Sequence, residues 1–214
     1  TSDAIDMDGG NNDLIERVKI TGSRARGIIF DGKDIIAGEP RTADGNTIRD
    51  CVIAGVPSHG IEFLASRSNT VEGCTITNVA GNGIQITKAS TTAGQANKKS
   101  SDNRLSGNSI DNSGKDGINV TSSDRNEITG NTVLNSSDDT ASRDGIRITS
   151  SDSVSCDDNV VSGNTSGDNQ AVHTQKYGLN IASSLCHTTV VGVNAFFGNL
   201  TGPIRDLGTG TQYG

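Results

Sequence analysis

Short stretches in which apolar and polar residues alternate recur along the whole chain, set apart by glycine and asparagine. The clearest column reads Gly-Ile-x-(Ile/Val/Phe). It occurs as Gly27-Ile28-Ile29-Phe30, Gly60-Ile61-Glu62-Phe63, Gly83-Ile84-Gln85-Ile86, Gly117-Ile118-Asn119-Val120, Gly145-Ile146-Arg147-Ile148 and Gly178-Leu179-Asn180-Ile181, and Ala4-Ile5-Asp6-Met7 is one more copy. A period of two marks a short, half-buried strand. A second motif, Asn-x-Ile-x-x-(Asn/Cys)-x-Ile, starts at Asn46, Asn69, Asn103 and Asn126, with weaker copies around Ile15, Val161 and Val191. Successive copies are 33, 23, 34, 23, 33 and 30 residues apart, so the base period is 23 with insertions.

Two or three short strands per 23 residues describe one coil of a parallel β-helix, stacked on the next at about 4.8 Å. The predicted fold is all-β, a single-stranded rod of about seven coils over residues 1–205, with 206–214 as a C-terminal tail or cap. Ile48, Val71, Leu105 and Ile128 are expected to form one buried ladder, and Ile53, Ile76, Ile110 and Val133 another. Asn108, Asn131, Asn164 and Asn194 share a column and would stack with their amides bonded coil to coil. Insertions at 32–45, 88–102, 134–143, 150–158 and 167–177 would leave two corners of the rod as side loops. The hexapeptide spacing of left-handed helices is absent.

Composition narrows the alternatives. Gly, Ser, Asn and Asp make up 91 of 214 residues, only 31% of the chain is hydrophobic, and there is no Trp. That excludes an ordinary helical bundle, and the fixed period argues against disorder. No apolar run is long enough to span a membrane, and no secretory signal opens the chain. A net charge of −7 without a basic stripe makes nucleic acid an unexpected partner. Cys51 and Cys74 fall in one inward column and are expected as free thiols. Cys156 and Cys186 each lie five residues before a repeat valine; free thiols are expected there too, with a bridge as the alternative. Four free thiols would suit a reducing compartment. His173 and His187 read as isolated, and Lys98-Lys99, Asp138-Asp139 and Asp157-Asp158 as solvated loop charges.

The repeat, over residues 3–205, resembles the right-handed parallel β-helix proteins, which include pectate lyases, polygalacturonases, mannuronan epimerases and phage tailspikes. The face carrying the residue before each Gly, and those two and four after it, is where functional groups are expected to gather. Near the N-terminus it holds Asp3, Asp6, Asp8, Arg26, Asp31, His59 and Glu62. Carboxylates about 5 Å apart in neighbouring coils would suit a retaining glycosidase pair or a Ca²⁺ site. Ser2-Asp3-Ala4-Ile5-Asp6 and Ser58-His59-Gly60-Ile61 look like polygalacturonase motifs, whereas Ala25-Arg26, Gln85 and Thr87 depart from that family's acid and basic elements.

Toward the C-terminus the same face holds Lys115, Asp116, Asn119, Arg143, Asp144, Arg147, Lys176 and Tyr177. Asp116, Asp144 and Arg147 are expected on an exposed strand face. With Lys176 or Tyr177 as base, they would serve β-elimination or C5 epimerisation of a uronate. Asp116-Gly117-Ile118 and Arg143-Asp144-Gly145-Ile146 look like mannuronan epimerase strands, but that family's Asp-Pro-His-Glu element is absent. The plainer alternative is a surface ion-pair ladder.

The resemblance implies a glycan-directed protein: a tailspike-like binder or depolymerase of a bacterial surface polysaccharide, a free lyase, hydrolase or epimerase, or a non-catalytic rod. It further implies a polysaccharide partner, homotrimeric assembly, a virion or extracellular location, and no cofactor other than Ca²⁺.

Overall fold

The computed structural model describes residues 2–32, 42–89, 98–137 and 143–214, together with the backbone of the strands Ile35–Ile36 and Glu39–Pro40. Three parallel sheets wrap one core, with eight, eight and seven strands among the described residues. The first sheet stacks Ile5–Asp8, Ile28–Asp31, Ile61–Leu64, Ile84–Thr87, Ile118–Thr121, Ile146–Thr149, Tyr177–Ile181 and Gly202–Asp206. The second runs from Leu14–Glu16 to Gln212–Tyr213 and the third from Lys19–Thr21 to Ala195–Phe197. Each coil visits the three sheets in that order, so within these three sheets sequence neighbours never pair and every ladder joins successive coils.

The apolar columns meet as expected. Ile48, Val71, Leu105 and Ile128 are in register in the second sheet, and Ile53, Ile76, Ile110 and Val133 in the third. All eight are fully buried. In the first sheet Phe30 lies opposite Phe63 with stacked rings 5.4 Å apart. Seven copies of the Gly-Ile column are legible in the sequence, yet the sheet has an eighth strand, Gly202–Asp206, because Ile204 falls opposite Leu179. Pro203 obscures that copy, and it is tolerated because the strand is at an edge, where a missing N–H costs no ladder bond.

The invariant spacing of the motif has steric causes. A Cβ on Gly60 would sit 2.6 Å from the carbonyl oxygen of Gly83 and 2.6 Å from Ile76 Cγ2, so only glycine lets the next coil approach. At the corner between second and third sheets, Gly107 and Gly130 adopt φ of 63° and 66°, where a side chain is strained.

The corner residues that follow carry hydrogen bonds between coils. Asn108 Nδ2 donates to Asn131 Oδ1 at 2.9 Å, Asn131 to Asn164 at 3.0 Å, and Asn164 to Asn194 at 3.0 Å. Each acceptor oxygen also receives the backbone N–H of the previous asparagine. A second stack, which sequence reading did not single out, runs through Asn69, Asn103, Asn126 and Asn159 at the corner between first and second sheets.

Cys51 and Cys74 stand at the head of the first stack as buried free thiols, and burial pushes Cys74 up to about 12. Cys156 and Cys186 correct the expectation of free thiols: they form a disulfide. They lie opposite each other in a two-strand pair, Cys156–Asp157 with Cys186–His187, with Cα atoms 4.4 Å apart, a separation that a bridge can span.

Truncating Ile110 to Ala removes a fully buried side chain from the middle of the rod. It should destabilise the fold by about 2–5 kcal/mol, and a thermal melt indistinguishable from wild type would contradict the ladder. Thiol titration in denaturant without reductant should count two thiols, Cys51 and Cys74; a count of four would mean that the bridge does not form.

Candidate functional site

Asn82, Asp116 and Asp144, each the residue before a Gly in the first sheet, do not face open solvent. Asp116 is 1% and Asp144 0% exposed, which corrects the expected exposed strand face. The physical reason is a capping column. Asp3 Oδ1 accepts the Arg26 N–H at 2.7 Å and His59 Nδ1 that of Asn82 at 3.0 Å. Asn82 Oδ1 accepts the Asp116 N–H at 3.0 Å, and Asp116 Oδ1 that of Asp144 at 2.8 Å. The chain leaves the third sheet here and its amides have no strand partner, so a side-chain acceptor supplies one. Asp, Asn and a neutral His satisfy that need equally, which explains their interchange in one column.

The N-terminal group is tied up internally. The Arg26 guanidinium pairs with Glu62 and lies 3.5 Å from Asp3. Asp6 is in register with Ile29, so no carboxylate stands beside it in the next coil. His59 sits two coils further on, and the structure does not bring these two predicted catalytic residues together. Accepting a backbone N–H at Nδ1 leaves the His59 proton on Nε2. Burial, reinforced by the charges of Lys115 and Arg26, pushes its pKa down to about 4. His59 is thus a neutral donor near pH 7. Among the described residues no cluster of three or more His, Cys, Asp or Glu side chains could hold a metal ion.

The C-terminal group does converge, in three consecutive coils. Asp144 Oδ2 accepts from Asn180 Nδ2 at 2.7 Å and lies 3.3 Å from Arg147 Nη1. In the next coil the Lys176 N–H donates to the Arg143 carbonyl at 2.6 Å, and the Gly145 N–H to that of Tyr177 at 2.9 Å. The Lys176 ammonium stands 5.7 Å from the centre of the Tyr177 ring. Burial pushes the Asp116 carboxyl up to about 6, with the Asp144 charge adding to it and the Asp144 N–H, Arg147 and Arg143 opposing it. Burial also raises Asp144, against Asn180, Arg147, Lys176 and the Tyr177 N–H, which continues the capping column. The site therefore holds an acid that titrates about one unit below neutrality and, around it, cations for an anion. Asn180 was visible in its column, but nothing in the sequence marked it as the partner of Asp144.

Other expectations shift as well. His187 is not isolated: its Nδ1 lies 2.7 Å from Asp157 Oδ1, because these residues are paired in register beside the disulfide. His173 Nδ1 is 3.6 Å from Asp168. Lys99 is not a solvated loop charge but is bonded to both oxygens of Asp124, at 2.7 and 2.8 Å. Asp138-Asp139 lie outside the described residues.

The raised Asp116 makes a pH prediction. Its folded pKa of about 6 exceeds the ordinary 3.8. Its contribution to stability is thus fully present below pH 3.8 and is lost as the pH rises through 6, for a total of about 3 kcal/mol. Asp116→Asn keeps an acceptor for the Asp144 N–H and removes the titration. Chemical denaturation at pH 4.5 and 7.5 should show the variant gaining on wild type at the higher pH; equal pH dependence would refute the buried-acid assignment.

No curated protein sequence is similar enough to match. Solved structures are similar in fold at low identity. The A-module of Azotobacter vinelandii mannuronan C-5 epimerase AlgE4 superposes with a TM-score of 0.66 at 13% identity, covering 94% of this chain and 64% of that one. The alginate lyase of Paenibacillus sp. str. FPU-7 gives 0.66 at 16%, covering 94% and 74%. The enzymatically active domain of tailspike protein 2 from bacteriophage CBA120 gives 0.65 at 12%, covering 92% and 35%. This chain thus spans less than two thirds of the epimerase module and about a third of the tailspike domain. The family model for the right handed beta helix region matches residues 1–98 and 41–213. With its three stacked parallel sheets and matching repeat, the chain belongs to the right-handed β-helix family.

Proposed function

We propose that this chain is glycan-directed and that the first-sheet face from Asp116 to Tyr177 binds an acidic polysaccharide. One observation carries the reading: Arg143, Arg147 and Lys176 gather around two buried carboxyl groups, Asp116 and Asp144, in three consecutive coils. A uronate sugar offers the complement, a carboxylate for the cations. The names of two structurally similar proteins, an alginate lyase and a mannuronan epimerase, support the same substrate class. The finer reading is a tailspike-like role at a virion or extracellular surface, with the rod assembled as a homotrimer.

A catalytic version is favoured by one feature. With a pKa of about 6, Asp116 is partly protonated near neutrality and could deliver a proton beside Asp144. Tyr177 or Lys176 in the adjoining coil would then be the base.

Calorimetry with alginate oligosaccharides and with neutral glucan oligosaccharides of the same length tests both versions. Wild type should prefer the acidic ligand. Affinity should rise as the pH falls from 7.5 to 5.5, because protonating Asp116 removes a like charge. Arg147→Gln with Lys176→Gln should weaken binding about tenfold or more. No preference for the acidic ligand would sink the proposal. If product analysis by mass spectrometry detects cleavage or epimerisation, Asp144→Asn should abolish it; unchanged turnover in that variant would make the face a binding surface only.

A further inference from the structure

We infer a second glycan subsite at the corner that follows the first sheet, built by Arg67 and Arg125 around Asp102 and selective for a sugar carboxylate. Residues Arg67, Lys98, Lys99, Ser101, Asp124 and Arg125 line a depression of about 250 Å³ there. Three consecutive coils contribute, and the backbone fixes their order: the Ser68 N–H donates to the Ser101 carbonyl, and the Asp102 N–H to that of Asp124. Arg67, Asp102 and Arg125 therefore occupy successive coils. The single Asp102 carboxylate serves both arginines, from Arg67 Nη2 at 3.1 Å and from Arg125 Nε and Nη2 at 2.7 and 3.0 Å.

That sharing leaves donors over. Arg67 Nε and Nη1 and Arg125 Nη1 have no acceptor among the described residues, and both side chains are about half exposed. Below them Lys99 is held by Asp124, and Lys98 reaches the Gly32 carbonyl at 3.0 Å. Asp44 and Asp157 border the same corner: Asp44 accepts the Arg67 N–H, and Asp157 lies 3.8 Å from Lys99. The four cations thus face four carboxylates, and the local field is near neutral. Recognition rests on directed guanidinium N–H groups, which match a planar carboxylate in pairs and favour it over a tetrahedral anion.

The position gives this pocket its ligand. Asp116 precedes the strand Ile118–Thr121, and Asp124 and Arg125 follow it. Four strand residues span roughly 13 Å, the reach of a few sugar rings laid across the sheet. A uronate chain whose one end meets Arg147 and Lys176 can place a later carboxylate at Arg67 and Arg125. This subsite rests on the acidic-glycan reading for its natural ligand, but it can be probed without it.

The test is a two-dimensional amide NMR titration of the whole chain with sodium glucuronate at constant ionic strength. The amides of Ser101, Asp124 and Arg125 should shift and saturate, and Arg67→Gln with Arg125→Gln should abolish those shifts. The replaced pairs are exposed and contribute little to stability, so the variant should fold. Sodium sulfate should compete at least tenfold more weakly. In parallel, the double variant should weaken a uronate octamer about tenfold and leave a uronate dimer's affinity for the first-sheet face, read from the amides of Asn119 and Arg147, unchanged. Shifts that fail to saturate, that survive in the double variant, or that sulfate reproduces equally well overturn the subsite. The first-sheet reading is scored separately, by the amides of Asn119 and Arg147 and by Arg147→Gln. Loss of those responses with the corner shifts intact would sink that reading and leave the corner standing.

Discussion

A coil that turns three times per repeat must bury backbone N–H groups that no strand can pair, and each has to be satisfied from the neighbouring coil. In this chain the side chains that do so form columns: two asparagine stacks at corners on either side of the second sheet, and a mixed Asp, His and Asn column before the first sheet. The columns set the register, because a coil displaced by one residue would lose its caps as well as its apolar contacts. The apolar ladders then fill the interior behind them, and glycine keeps the coils close enough for both.

The same constraint generates the chemistry of the candidate site. Asp116 and Asp144 are buried because they cap or are capped, and burial raises both carboxyl groups, the Asp144 charge adding to the rise at Asp116. Capping uses one oxygen of Asp116, and Asp144 Oδ2 takes Asn180 and Arg147. In the N-terminal coils the equivalent groups are neutralised from within, Arg26 by Glu62 and Asp3, and His59 by burial beside the charges of Lys115 and Arg26. One column of caps therefore yields an end closed on its own carboxylates and an end where cations gather around buried acids, and Glu62 against Arg147, each two positions after its Gly, mark the difference.

Charge follows the rod in the same graded way. Acidic residues dominate the first-sheet face in the first coils, and Arg143, Arg147, Lys176 and Arg205 enter in the last ones, on a chain whose net charge is −7. Lys99, Arg67 and Arg125 are similarly matched to carboxylates one coil away. A stack with a spacing of about 4.8 Å makes every long cation a neighbour of the coils above and below, so isolated loop charges are rare along its corners.

The sequence by itself determined the fold: the spacing of Ile48, Val71, Leu105 and Ile128 and the Gly-Ile column place these ladders, since periodicity is a local property that burial must respect. It also placed Asp116, Asp144, Arg147, Lys176 and Tyr177 in adjoining coils, because a constant repeat converts sequence offset into position. Only the tertiary structure decided which way those side chains are used. Alternation indicates which face a residue takes, but not whether that face is open, so Asp116 and Asp144 read as exposed and are buried. Hydrogen bonds between coils depend on atoms brought together from 23 to 36 residues away, so the neutral His59, the Asn180 bond to Asp144 and the pairing of His187 with Asp157 left no local signal. The bridge between Cys156 and Cys186 was decided in the same way, by a parallel register inside a corner whose turn geometry no repeat count specifies.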